Sequence, residues 1–105
     1  MFDLFNLGGF ATYDYDKMKL GRIEPKDNNG IGVSTANTPD EGYETALLDS
    51  NGIHPVERYK TKKNALLGHK KWIKFANDKK NKNVNKLGGL TGLVENELIT
   101  LKRVK

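Results

Sequence analysis

Two histidines, a pair of glutamates and a dense run of lysines are the side chains of this 105-residue chain with chemistry to offer. His54 and His69 are the candidates for a metal ligand or a general base, since imidazole changes charge near neutral pH. There is no cysteine and no His-x-x-x-His spacing, so a zinc or iron site lacks ligands, and no metal or cofactor is expected. His69 falls on the inward stripe of a helix and is expected to be a satisfied structural histidine bonded to the sheet backbone. Glu44 and Glu57 face each other across an expected hairpin, where paired carboxylates can do acid-base work. The neighbouring Arg58 and Lys60 favour ordinary ion pairing instead. Neither Gly8-Gly9 nor Gly88-Gly89 has the lysine-serine or strand-loop-helix context of a phosphate-binding loop. No nucleophilic triad can be assembled, so the expectation is a protein that is not an enzyme and has no catalytic residues.

The basic residues carry more. Eleven lie between Arg58 and Lys86, with Tyr59, Trp72 and Phe75 interleaved, a composition suited to phosphate contacts plus base stacking. Lysine outnumbers arginine, which supplies charge without the planar fork used to read bases, so nucleic-acid binding would be non-specific. Trp72, and Phe75 with it, is also claimed by the helix's inward stripe, and a solvated lysine-rich face is the plainer reading of the same residues. Net charge is −5 over residues 1–56, +9 over 57–86 and +1 over 87–105, which gives the surface two electrostatic faces.

The elements that position these residues follow from pattern. Residues 13–23 alternate as an edge strand, and 25–30 form a turn in which Asn29-Gly30 tolerates positive φ. Residues 31–37 make a second strand and 43–48 a third; 49–52 turn the chain into a fourth strand over 53–59, where Pro55 demands a free edge or a bulge. Thr61 is an N-cap for an amphipathic helix reaching about residue 77. On it Ala65, His69, Trp72, Ile73 and Ala76 converge, with Leu66 at the margin. Gly68 beside Trp72 implies close approach of helix and sheet. Lys63, Leu67, Lys70, Lys71 and Lys74 occupy the opposite face. Residues 97–104 alternate as a last strand, which either closes the sheet or adds to a neighbouring chain's sheet.

The fold class is therefore α+β: a small antiparallel meander of about four to five strands, one helix across a face, and extended termini. The expected organisation is an apolar N-terminal arm over 1–12, a sheet-plus-helix domain over 13–77, a flexible basic and glycine-rich linker over 78–94, and a C-terminal strand over 95–105. The expected core is Tyr43, Thr45, Leu47, Val56, Leu66, Trp72 and Ile73. No apolar run is long enough to span a bilayer, and the start of the chain lacks the pattern of a signal peptide, so no membrane partner is expected.

The set Tyr43-Glu44-Thr45-Ala46, Arg58-Tyr59-x-Thr61 and Ala65-x-x-Gly68-His69-x-x-Trp72 resembles a recurring pattern in small, mostly uncharacterised proteins of tailed bacteriophages. The resemblance covers about a third of the chain. It departs where acidic residues would follow the threonine and Lys62-Lys63 stand instead. It implies a phage origin and a sheet-plus-helix fold, and carries no catalytic residues. Taken with apolar segments at both ends, it makes the leading expectation an accessory structural component of a phage particle, assembled in the host cytoplasm. Its partners would be other phage structural proteins or copies of itself, engaged through Phe2, Leu4 and Phe5 and through Ile99 and Leu101. The alternative is an intracellular phage protein that binds a host factor or nucleic acid through the basic helix face.

Overall fold

The computed structural model describes residues 19–39, 42–88 and 95–105. Strands β1 (Lys19–Ile23), β2 (Gly32–Thr38), β3 (Gly42–Asp49) and β4 (Gly52–Tyr59) form one antiparallel meander in that order, followed by helix α1 (Lys62–Asn77). Strands β5 (Asn83–Lys86) and β6 (Glu97–Thr100) pair antiparallel in a separate two-stranded sheet. The α+β class and the meander are as the sequence predicts.

Local chemistry explains each boundary. A single 3-10 turn, Pro25–Asp27, leads into Asn29 and Gly30 at φ 55° and 89°, the expected positive-φ pair between β1 and β2. A two-residue loop at Ser50-Asn51 joins β3 to β4. Opposite Pro55 the register slips: Thr45 faces Glu57 while Ala46 faces Pro55, so one residue bulges as a proline in a strand requires. Thr61 caps α1, its hydroxyl accepting from Asn64 N at 3.1 Å.

The helix lies chiefly on β2 and β3. Its inward stripe, including buried Ala65, Gly68 and Ala76, covers Val33, Thr35, Thr45, Leu47 and Val56 on the sheet. Trp72 and Ile73 are half-buried against this core, as is Phe75. Two core expectations need correction: Leu66 is 39% exposed, because a margin position lies outside the helix-sheet contact, and Tyr43 is only half-buried near the open end of β3. Ala46 and Leu48 lie on the sheet's second face with Ser34, Ala36 and Ile53, around a shallow apolar hollow.

Residues 78–94 are not linker throughout. Among them β5 forms, and Val84 joins the core with Leu101 from the other side of the β5–β6 pair. Leu101 N donates to Lys82 O at 2.6 Å, which extends the β5–β6 pairing, and Leu87 N donates to Pro55 O at 2.8 Å, which ties the small sheet to β4. The last residues then run between two turns of the meander: Ser50 N donates to Lys102 O, and Val104 N to Gly30 O, both at 2.9 Å. The C-terminal strand thus pairs within the chain, and with β5 rather than with the meander. No described helix is long and apolar enough to cross a membrane.

Candidate functional site

The outward face of α1 is fixed by helical geometry. At about 100° per residue, Lys63, Leu67, Lys70 and Lys74 fall within about 60° of one another, and Lys71 lies at one margin. All five are exposed, Leu67 by 58%. Lys71 differs from the others in being engaged: its Nζ donates to Glu57 Oε1 at 2.6 Å and sits 5.3 Å from the centre of the Trp72 ring. Lys63, Lys70 and Lys74 have no acidic partner among the described residues. Three of the five expected helix-face contacts are therefore unpaired cations, and Leu67 is an apolar residue among them.

Beside Lys71 an open cleft of about 400 Å³ runs between β4 and the first half of α1, lined by Glu57, Tyr59, Lys60, Asn64, Leu67 and Gly68. Its wall is a carboxylate with three hydrogen-bond donors on one oxygen. Glu57 Oε1 accepts from Tyr59 Oη at 3.0 Å, Lys71 Nζ at 2.6 Å and Trp72 Nε1 at 2.8 Å. Burial opposes ionisation of Glu57, but these three donors outweigh it and hold its pKa below the ordinary value of 4.5.

From Glu57 a chain of hydroxyls runs under the helix. Tyr59 Oη is 3.0 Å from Thr45 Oγ1, Thr45 Oγ1 is 2.5 Å from Thr35 Oγ1, and Thr35 Oγ1 is 2.8 Å from His69 Nδ1. The phenol has one proton, and the carboxylate is its stronger acceptor. Thr45 then turns its own proton to Tyr59, Thr35 to Thr45, and the remaining position calls for a proton on His69 Nδ1. Burial pushes the Tyr59 phenol up to about 12 and pulls His69 below its ordinary value. His69 is the structural histidine expected, but its partner is a threonine side chain rather than the sheet backbone. Gly68 makes this possible, because a side chain there would collide with the Tyr59 ring.

Glu44 and Glu57 do not face each other. The bulge sets Glu44 opposite Arg58, with Glu44 Oε2 3.1 Å from Arg58 Nε, while Glu57 turns to the helix side and pairs with Lys71. The expectation of ion pairing holds for Glu44; the expectation of a carboxylate pair does not, since the two lie on opposite faces of the sheet.

At the far end of α1 a second group of cations gathers. Lys26, Lys79, Arg103 and Lys105 line a hollow of about 500 Å³ with Asn29 and Val104. Arg103 also holds the helix end: Nη1 donates to Ala76 O at 2.7 Å and Asn29 O at 3.0 Å, and Nη2 to Asp78 O and Asn81 O, each at 3.0 Å. A guanidinium on the last carbonyls of a helix satisfies groups that have no partner within it.

Two other site expectations move inward. Leu101 is buried in the core and Ile99 is half-buried against it, because the β5–β6 pair folds onto β4. Leu101 is closed to another chain in this arrangement, and Ile99 keeps part of its surface exposed. Phe2, Leu4 and Phe5 lie outside the described residues.

No family model, curated protein or solved structure matches this chain.

Sequence reasoning missed four functional or architectural groups. Arg103 gives no local signal, since its four acceptors are 22 to 74 residues away in sequence. Asp49 reads as a turn residue, yet its Oδ2 accepts from Lys102 N and its Oδ1 from Asn51 N and the buried His54, each at 2.8 Å. The Thr35–Thr45–Tyr59 chain is hinted at only by threonines on the inward positions of two adjacent strands. The lysine hollow at the end of α1 is assembled from three distant segments.

Proposed function

We propose that this chain is a non-enzymatic interaction protein that engages an anionic partner through the solvent face of α1. The observation that carries this is the state of the lysines: Lys63, Lys70 and Lys74 are exposed and lack acidic partners among the described residues, while Lys71 is held by Glu57. Unpaired like charges on one helix face repel one another and stabilise nothing locally, so their gain comes from something bound there. Three other chemically versatile side chains, His69, Tyr59 and Glu57, are engaged in one hydrogen-bonded chain through Thr35 and Thr45. This is the intracellular reading, with a host factor or nucleic acid as the partner, and the inward turn of Ile99 and Leu101 is what brings it forward.

Retention of the full chain on an immobilised polyanion tests it. The double variant Lys70→Glu, Lys74→Glu should elute at clearly lower salt than the control Lys82→Glu, Lys102→Glu, which changes net charge equally at other exposed positions. Equal shifts would reduce the effect to net charge and remove the site.

The second reading, an accessory component of a tailed-phage particle, is supported by the resemblance carried by Tyr43 to Trp72. Its contact residues would be Phe2, Leu4 and Phe5. Mass spectrometry of salt-washed particles decides it: a stoichiometric band supports it, and abundance in infected cells with none in particles sinks it.

A further inference from the structure

The two cationic groups lie along one element. Lys63 and Lys74 are about 16 Å apart along the helix axis at about 1.5 Å per residue. Beyond the last turn come Lys79, Lys26 and Lys105, brought to the helix end by the Arg103 bonds to Ala76 O and Asp78 O. None of these lysines forms a salt bridge with a carboxylate among the described residues.

The aromatic residues set a second condition. Binding of single strands draws on exposed rings that stack bases, in addition to charge. Each aromatic residue described, Tyr43, Tyr59, Trp72 and Phe75, is half-buried. Trp72 donates to Glu57 and meets Phe75 edge-on, with ring centres 5.1 Å apart at 73°. Tyr59 gives its hydroxyl to Glu57 and lies against Gly68. The stacking that composition suggests is thus withdrawn from the basic face, and phosphate contact is what remains.

We propose that the solvent face of α1, continued by the lysines at its C-terminal end, binds duplex nucleic acid through phosphates alone, without reading sequence and without stacking. This rests on the reading of α1 as the working surface. A duplex presents one charge per about 1.7 Å of axis, a denser target for spaced lysines than a single strand, whose compensating advantage is stacking. Lysine points, rather than arginine forks, contact phosphate without fixing on a base edge.

Fluorescence anisotropy of the full chain with a labelled DNA duplex of about 20 base pairs tests this, alongside a second duplex of unrelated sequence, the single strand and a polyglutamate. Both duplexes should bind with affinities within about twofold and more tightly than the single strand. With four to six phosphates neutralised, affinity should fall about 10²- to 10³-fold between about 50 and about 200 mM salt. Lys70→Glu, Lys74→Glu should weaken duplex binding while leaving the thermal unfolding curve in place. Tighter binding to the single strand, a strong preference between duplexes, or salt-insensitive binding overturns the proposal. If polyglutamate binds in a Lys70- and Lys74-dependent way and the duplex does not, the partner assignment fails and the α1 reading stands. If charge reversal changes binding to neither, both fail.

Discussion

Gly68 sits in mid-helix, where glycine is about 1 kcal/mol worse than alanine, and it does so because the Tyr59 ring occupies the space a side chain would need. Gly68→Ala should therefore destabilise the fold by about 1–3 kcal/mol despite its better helix propensity, since it overpacks a rigid aromatic contact. Urea denaturation measures this, and a stabilised variant would refute the contact. His69 gives a pH signature. Its pKa lies below the ordinary 6.5, so as pH falls through that value the unfolded chain takes up a proton that the folded chain resists, and stability drops. A second loss follows below about pH 4.5, where Glu57 and Asp49, both held below their ordinary values of 4.5 and 3.8, protonate first in the unfolded chain. His69→Gln should flatten the first phase and keep the second, as denaturation midpoints measured from pH 7.5 to about 3.5 would show.

The C-terminal segment shows how an element that reads as an appendage becomes part of the core. Alternation over residues 97–104 signals a strand, and β6 forms over half of that span. What alternation does not reveal is the partner. Leu101 goes into the core beside Val84, and Lys102, Arg103 and Val104 bond to segments around residues 49, 76 and 30. Leu101→Ala should cost about 2–5 kcal/mol by leaving a cavity. Arg103→Lys should cost about 2 kcal/mol although charge is kept, because an ammonium cannot reach four carbonyls arranged for a planar fork. Thermal unfolding followed by circular dichroism tests both; an unchanged midpoint in Arg103→Lys would mean that charge near the helix end is what matters. The helix itself was legible, from the cap at Thr61 to its inward stripe, because its signals lie within a few residues of one another. Leu66 was placed wrongly because a stripe's width depends on how closely the sheet approaches, which periodicity does not report.

Across the whole molecule, the charge polarity of the sequence takes on geometry. Of the acidic first half, Asp49 is buried and Glu44 and Glu24 are paired with Arg58 and Arg22, while on α1 Lys71 is paired with Glu57 and Lys63, Lys70 and Lys74 have no ion-pair partner among the described residues. The sequence by itself determined the meander, its turns and the capped helix α1, and required either a free edge or a bulge at Pro55. These rest on φ preferences, missing donors and periodic burial, all of which act over short stretches. It also determined that the lysines outnumber their possible acidic neighbours on α1. Only the tertiary structure decided that Trp72 and Tyr59 turn inward to Glu57, that Glu44 and Glu57 lie on opposite faces, and that the C-terminal residues lock the helix end. Those outcomes depend on which distant segments meet, and a hydrogen bond between residues 103 and 29 leaves no periodicity in the chain to announce it.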